Sequence, residues 1–166
     1  LRAVSEGEGR PVVDSLVHHQ PLSPVGPSEQ TGRFAAMRSS GGLRTRGNAP
    51  TSSSDAPLVS IVTVVFNGAA TLERTIRSVL GQSYPNLEYI IVDGGSTDGT
   101  LELLRRYDDR LAMWVSEPDK GIYDAMNKGV ALCTGDWVAL INADDWYEPE
   151  AVARAMSAVK DGAGIN

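Results

Sequence analysis

Two adjacent carboxylates, Asp144 and Asp145, directly follow a run of apolar residues near the end of the chain. Adjacent carboxylates repel each other unless a cation or solvent lies between them. Their oxygens suit Mg2+ or Mn2+, which keep several waters and bridge to substrate phosphates. The alternative is that the pair begins a turn and caps the helix after Pro149. The pair alone leaves both interpretations open.

Two further apolar runs end in residues that could contact a ligand, at Phe66–Asn67 and at Asp93. The Asp93 carboxylate could accept hydrogen bonds from a ribose or from a base N–H. Another interpretation is a turn that starts a helix, with Ser96 or Thr97 as the cap and Asp98 interacting with the helix dipole. In open α/β sheets, ligands bind beyond the carboxyl ends of the strands. We therefore expect the residues at these strand ends to converge on one crevice.

The elements that would position these residues alternate between strands and helices. Four apolar runs predict strands at Leu58–Phe66, Leu87–Val92, Leu111–Ser116 and Asp136–Ile141. Helical periodicity after each run predicts four helices. The first carries Leu72, Ile76, Val79 and Leu80, and the second carries Leu101, Leu104 and Tyr107. The third spans Gly121–Cys133, with Ile122, Met126, Val130 and Cys133 on one side, and the fourth spans Glu148–Val159. This alternation predicts an α/β fold, with a mostly parallel sheet covered by helices on both faces.

Familiar phosphate and calcium patterns are absent from the expected places. The first predicted strand leads into Asn67-Gly68-Ala69-Ala70-Thr71, which lacks the glycines of a dinucleotide-binding turn. A Walker A loop is also absent. The stretch from Asp93 departs from a calcium loop, because Asp98 and Leu104 stand where Gly and Glu are required.

The composition changes between residues 56 and 57. Residues 1–56 are rich in Gly, Pro, Ser and Arg, and we expect a disordered low-complexity leader there. Residues 57–166 form the predicted globular domain and hold 9 basic against 16 acidic residues, a net charge of -7. An acidic domain repels phosphate backbones, so we expect no nucleic-acid partner. Cys133 is the single cysteine, which excludes an internal disulfide and is typical of a reducing compartment.

The chain starts with Leu1 instead of Met and stops at Asn166, directly after a helical pattern. We expect it to be part of a longer protein. No run of about 18 apolar residues is present, so the sequence predicts no membrane span. No basic start followed by an apolar stretch marks a secretory signal.

Together the segments VSIVTVVFN, TIRSVLGQSYPNLEYIIVDGGSTDGT and SEPDKGIYDAMNKGVALCTGDWVALINADDWYEP resemble family-2 glycosyltransferases. The resemblance covers about residues 57–159 and is closest to bacterial enzymes that build capsule, exopolysaccharide or lipopolysaccharide. It implies a GT-A fold, a Rossmann-like sheet with helices on both faces, here truncated at the C-terminus. It also implies transfer of a sugar from a nucleotide diphosphate, with a UDP-sugar favoured, to a hydroxyl of a glycan or lipid-linked acceptor, with inversion.

The resemblance implies a role for each residue at the strand ends. Phe66, with Asn67 beside it, would stack on the donor base, and Asp93 would accept a hydrogen bond from the base N–H. Asp144 would contact the ribose, and both acids belong to the DxD-like motif, with Asp145 as the ligand of Mg2+ or Mn2+. Lys120 either supplies a positive charge to the diphosphate or is a solvated loop lysine.

The sequence departs from the family pattern at two positions. Asn142 replaces the first acid of the usual DADD, and Met126 replaces an arginine common before Asn127. An inverting enzyme also needs a general base for the acceptor hydroxyl. The resemblance implies that this base belongs to the acceptor half, beyond Asn166, so the catalytic residue is unknown.

Two other functions remain open at this stage. The chain by itself could be a non-catalytic nucleotide-binding fragment that lacks the acceptor half. A phosphatase or receiver-like domain also gathers acids at strand ends, but it needs a nucleophilic Asp after its first core strand, where this chain has Phe66-Asn67. For the enzyme, the resemblance implies a cytoplasmic location, with peripheral association at the inner face of the plasma membrane.

Overall fold

The computed structural model describes residues 16–18, 39–53 and 56–160, and these residues contain one six-stranded sheet. Its strands are β1 Val17–His18, β2 Ser39–Gly41, β3 Val59–Val65, β4 Leu87–Asp93, β5 Met113–Ser116 and β6 Trp137–Asn142. Their order across the sheet is β1-β6-β3-β4-β5-β2. The central strands β6, β3, β4 and β5 are parallel, whereas β1 and β2 pair antiparallel at the two edges. The four parallel strands therefore end at one edge of the sheet.

Four α-helices cover the sheet on both faces, as the sequence predicts. They are α1 Leu72–Leu80, α2 Thr100–Arg106, α3 Ile122–Leu132 and α4 Ala151–Lys160. Side chains of α1, α2 and α4 pack with Ile61 and Ile91 in one apolar cluster. Helix α3 packs with Val62 and Val92 in a second cluster on the opposite face. The α/β fold with a mostly parallel sheet is confirmed.

Strand β3 lies at the centre of the core, and all seven of its residues are buried. Burying a large aliphatic side chain stabilises a fold by about 1.5–3 kcal/mol, so this strand makes a large contribution. Helix α3 approaches β3 closely at Gly129, where an added Cβ would lie 2.3 Å from Val62 Cγ1. The sheet and α3 therefore form a tightly packed support for the loops at the strand ends.

Some boundaries and faces differ from the sequence predictions. Strand β5 starts at Met113 instead of Leu111, and α4 starts at Ala151 instead of Glu148. Ile122, which the sequence places on one side of α3 with Met126, Val130 and Cys133, is 52% exposed. Ile122 is the first residue of α3, and the buried residues of that helix are Ala125 and Gly129. None of the helices described here has the length and apolar character that crossing a membrane requires.

Part of the segment predicted to be a disordered leader is ordered. Residues 39–41 form strand β2, and a short 3-10 helix follows at Leu43–Arg46. Arg44 pairs with Glu88 Oε1 at 3.1 Å, and the Glu88 side chain is fully buried. The prediction failed for residues 39–53 because their order comes from contacts distant in sequence. Residues 1–15, 19–38, 54–55 and 161–166 lie outside the described residues, so the domain boundary at residue 56 stays a prediction.

Candidate functional site

The turn after β3 presents an exposed aromatic ring. Phe66 is 66% exposed at the end of a fully buried strand. Asn67 has a φ of 52°, in the left-handed region where Asn is among the better tolerated residues. Its backbone N–H donates to Ser96 Oγ at 2.6 Å, and its Oδ1 accepts from the Thr97 N–H at 2.9 Å. These bonds join the turn after β3 to the turn after β4.

Asp93 ends β4 and is fully buried. Its carboxylate accepts hydrogen bonds from the Ser96 N–H at 3.1 Å, from the Ser96 hydroxyl, and from Ser116 Oγ at 2.6 Å. The side chain therefore orders the glycine-rich turn. To contact a base, it would have to share or exchange its serine partners.

Helix α2 is not capped by Ser96 or Thr97, the two residues that the sequence suggested as its cap. Gly99 is the N-cap residue, and Asp98 Oδ1 accepts from the first helical N–H, that of Thr100, at 3.1 Å. Ser96 instead bonds to Asp93, and Thr97 bonds to Asn67. Asp98 accepts from the Thr100 hydroxyl at 2.6 Å and from the Ala69 N–H at 3.0 Å. These hydrogen bonds, the Thr100 hydroxyl above all, lower the pKa of Asp98. Asp98 is thus another link between the turns after β3 and β4.

The two adjacent acids follow β6 in a tight turn. The Asp145 N–H donates to Asn142 O at 3.2 Å, and Asn142 Nδ2 donates to Asp145 Oδ2 at 3.2 Å. Asp144 is exposed, whereas Asp145 is partly buried. Burial raises the pKa of Asp145, the Asn142 hydrogen bond lowers it, and the negative charge of Asp144 raises it further. A cation beside the pair would offset the cost of burying the Asp145 charge and would reduce the repulsion between the two carboxylates.

The donor atoms here suit a hard divalent cation but do not complete its coordination. Over the part of the chain that the structure describes, no group of three or more His, Cys, Asp or Glu residues is placed to hold a metal ion. Asp144 and Asp145 supply carboxylate oxygens only, which fits Mg2+ or Mn2+ if waters and phosphate oxygens provide the other ligands. The residues are therefore compatible with a cation that binds together with a diphosphate.

The loop between β5 and α3 carries Lys120, which is exposed. Its backbone N–H donates to Asp124 Oδ2 at 3.1 Å, and this bond is the main cause that lowers the pKa of Asp124. Lys128 Nζ lies 3.2 Å from Asp124 Oδ2, 3.1 Å from Glu117 Oε1 and 3.1 Å from Pro118 O. The sequence analysis did not single out this loop as a clamped element. Lys128 fastens the start of this loop to α3, and Asp124 holds the end of the loop through the Lys120 N–H.

Asp119, in the same loop, is a site residue that the sequence analysis missed. An added Cβ at Gly94 would lie 2.5 Å from Asp119 Oδ2 and 3.4 Å from Phe66 Cδ2. The Asp119 carboxylate thus lies close to the Phe66 ring, and its other oxygen accepts from the Gly121 N–H at 2.8 Å. The only sequence signal was a polar residue in the loop after β5, which is weak by itself.

The structure also contains a cavity of about 620 Å3 that is remote from these residues. It lies at the amino ends of β4 and β5, and its lining includes Leu43, Pro50, Tyr84 and Arg110. The strand-end residues Phe66, Asp93 and Asp145 do not line it. The candidate site is instead the set of turns at the carboxyl ends of the parallel strands.

Residues 60–166 match a protein-family model described as "Glycosyl transferase family 2". An uncharacterized glycosyltransferase of Mycobacterium tuberculosis strain H37Rv is 42% identical over 106 residues, which cover 63% of this chain and 40% of the relative. A PGL/p-HBAD biosynthesis glycosyltransferase of Mycobacterium bovis strain BCG is 39% identical over 106 residues, which cover 61% of this chain and 41% of the relative. The chain spans about 40% of the length of these relatives.

Two solved structures resemble the fold. S. aureus TarS 1-349 in complex with UDP-GlcNAc has a TM-score of 0.58 and 21% identity, and the match covers 63% of this chain and 31% of TarS. The mannosyltransferase PcManGT from Pyrobaculum calidifontis, in complex with GDP-Man and Mn2+, has a TM-score of 0.55 and 29% identity. The match covers 70% of this chain and 36% of PcManGT. The likeness to TarS concerns the fold alone.

Proposed function

Because this chain belongs to glycosyl transferase family 2, we propose that its protein moves a hexose from a nucleotide diphosphate to a hydroxyl of a glycan or lipid-linked acceptor. The observation that carries the proposal is the shared edge of the parallel strands. Strands β3, β4, β5 and β6 end there, with an exposed aromatic ring at Phe66, carboxylates at Asp93 and Asp119, and the acidic pair after β6. A base, a ribose and a diphosphate need an arrangement of this kind.

The donor would bind across these strand ends in a fixed direction. Phe66 stacks on the base, because its ring is exposed and is held by a rigid turn. A carboxylate accepts from the base N–H. Asp93 is the residue that the family resemblance indicates, and Asp119 is a second candidate, because its carboxylate and the Phe66 ring both lie beside Gly94. Asp144 contacts the ribose. Lys120 brings a positive charge towards the diphosphate.

Asp145, with Asp144 beside it, would hold Mg2+ or Mn2+ against the diphosphate. When bound, such an ion neutralises the diphosphate and stabilises it as a leaving group. The Mn2+ and GDP-Man of PcManGT support a nucleotide sugar with a divalent cation as the ligand class. The family resemblance favours a UDP-sugar and this neighbour carries GDP-Man, so UDP and GDP both have to be tested.

Inversion requires a general base that activates the acceptor hydroxyl. We infer that this base, and the acceptor site, belong to a part of the protein outside residues 57–166. The enzyme would act in the cytoplasm, at the inner face of the plasma membrane, where lipid-linked acceptors are within reach.

The test is a calorimetric titration of UDP and GDP into the 166-residue chain, with and without Mn2+. We expect binding that requires the cation. Asp145→Ala should abolish the cation-dependent part, since it removes one of two carboxylates. Glu150→Ala is the matched control, because Glu150 is exposed. It lies just before α4 and pairs with Arg154 of that helix. Equal cation dependence in Asp145→Ala and the parent would refute the metal assignment.

The length of the chain favours a second candidate for the 166 residues by themselves. Because they span about 40% of the relatives, they could bind the donor without transferring the sugar. The two candidates differ in turnover, so release of UDP from UDP-GlcNAc should be followed with a set of glycan acceptors. Binding without acceptor-stimulated release would support the fragment, and stimulated release would support the enzyme.

A further inference from the structure

We propose that Thr75 is a positioning residue that holds the turn carrying Asp144 and Asp145 in its cation-binding shape. Thr75 lies in α1 and is fully buried. Its Oγ1 is 2.9 Å from Ala143 O and 2.7 Å from Asp145 O. The two carbonyls flank Asp144, and one hydroxyl proton is shared between them or alternates. The inference rests on the donor function proposed above.

Thr75 belongs to a polar stripe on α1 formed by Thr75, Ser78 and Gln82, the last lying just beyond the end of the helix. Ser78 Oγ accepts from the Tyr147 N–H at 3.1 Å. Gln82 Nε2 donates to Glu148 O at 2.7 Å, and Gln82 Oε1 accepts from the Val152 N–H at 3.0 Å. Residues spaced three and four apart lie on one side of a helix. The stripe therefore binds the backbone that follows β6 from residue 143 to residue 152.

The stripe can act as a fixed support because α1 is anchored to the sheet. Leu72, Ile76 and Val79, on the apolar side of the same helix, are completely buried. A second contact lies beside Thr75, where the Arg74 guanidinium stacks over the Trp146 ring at 3.2 Å from its centroid. Helix α1 thus contacts both the backbone and a side chain of the turn.

A fixed turn matters here because Asp144 and Asp145 are the two carboxylates that would hold the proposed cation. Mg2+ binds its oxygens at about 2.0–2.1 Å in near-ideal octahedral geometry, so small displacements of a ligand weaken it. Without the Thr75 hydroxyl, two partly buried carbonyls would lose their donor and would turn towards water. That rotation would move the side chain between them, Asp144, and its neighbour Asp145.

Thr75→Val tests this inference because valine keeps the shape of threonine and removes the hydroxyl. In the 166-residue chain with Mn2+, we expect UDP affinity to fall about fivefold to tenfold, the usual effect of one lost hydrogen bond. UDP affinity without the cation should not change. Thr75→Ser should bind like the parent, since it restores the donor. Ser157→Ala, which removes an exposed hydroxyl bonded to Ala153 O at 3.0 Å in α4, is the matched control.

A second readout, amide hydrogen exchange at residues 143–147 without ligand, separates this inference from the donor function. Faster exchange there in Thr75→Val, restored in Thr75→Ser, supports the positioning role even if no nucleotide binds. A parent that shows no cation-dependent binding of either UDP or GDP overturns the proposed function. If Thr75→Val does not fold, Thr75→Cys, whose thiol is a weak donor, should give an intermediate loss. Parent-like affinity and exchange in Thr75→Val, or in the Cys variant, would overturn the inference.

Discussion

Replacing Arg44 by methionine should destabilise the whole domain, although Arg44 lies in the segment that its composition marks as disordered. Arg44 NH1 is 3.1 Å from Glu88 Oε1 and donates to Leu132 O at 2.5 Å. Glu88 is the second residue of the central strand β4, and its side chain is completely buried. Removal of Arg44 would leave a buried carboxylate without its counter-charge.

The expected magnitude follows from the partners that Glu88 keeps. Removing one partner of a buried ion pair costs about 3–5 kcal/mol. Glu88 would still accept from Ser60 Oγ at 2.6 Å, and from the Thr134 N–H at 2.8 Å and Oγ1 at 2.7 Å. Arg44 is also 19% exposed, so water screens part of the interaction. We therefore expect a loss of about 2–3 kcal/mol in the free energy of unfolding, below the full range.

Urea unfolding of the full chain, followed by circular dichroism, measures this loss. With a slope of about 2 kcal/mol/M, the midpoint should fall by about 1–1.5 M. Arg46→Met is the matched control, because Arg46 lies in the same 3-10 helix and pairs with Asp108 while half-exposed. Arg46→Met should lower the free energy of unfolding by less than about 1 kcal/mol. The reasoning is refuted if the free energy of unfolding of Arg44→Met lies within about 0.5 kcal/mol of that of the parent. It is also refuted if Arg44→Met and Arg46→Met lose the same free energy of unfolding.

Three further predictions concern single side chains elsewhere in the domain. Phe66→Ala should weaken UDP binding by about 1–3 kcal/mol and leave ribose 5-phosphate binding unchanged, because only UDP has a base to stack; calorimetry measures both. Gly129→Ala should cost about 1–3 kcal/mol in urea unfolding, because the new Cβ would lie 2.3 Å from Val62 Cγ1. Burial raises the pKa of the Cys133 thiol to about 12, so iodoacetamide should react with it at pH 9 only after unfolding. For the same reason, stability should decrease as pH rises above about 8.5, since the unfolded thiol then loses its proton and the folded one does not.

The sheet and the position of the site could be predicted because they depend on local patterns. The continuous apolar runs that became β3 and β4 are typical of strands buried on both faces, as in a parallel sheet covered by helices. The spacing of Leu72, Ile76 and Val79 identified the packed side of α1. Parallel topology then requires the residues after β3, β4 and β6 to share one edge of the sheet.

The missed features depend on partners that are distant in sequence. Arg44 meets Glu88 across 44 residues, and no periodicity in residues 39–53 marks the strand that brings them together. The polar stripe on α1 was missed because apolar spacing draws attention to the opposite side of that helix. Asp119 was missed because its approach to Phe66 depends on how closely two loops pass at Gly94. Tertiary packing determines all three.

The most direct test of the proposed site is paramagnetic broadening by Mn2+ in an isotope-labelled 166-residue chain with UDP bound. The proposal predicts that amide signals of residues 143–146 broaden first, with Asn67 next, because the ion would lie between Asp145 and the diphosphate. Signals of Arg44 and Lys160, at the other end of the strands and at the end of α4, should stay sharp. Broadening centred on Glu117 and Asp124, with residues 143–146 sharp, would contradict the proposal.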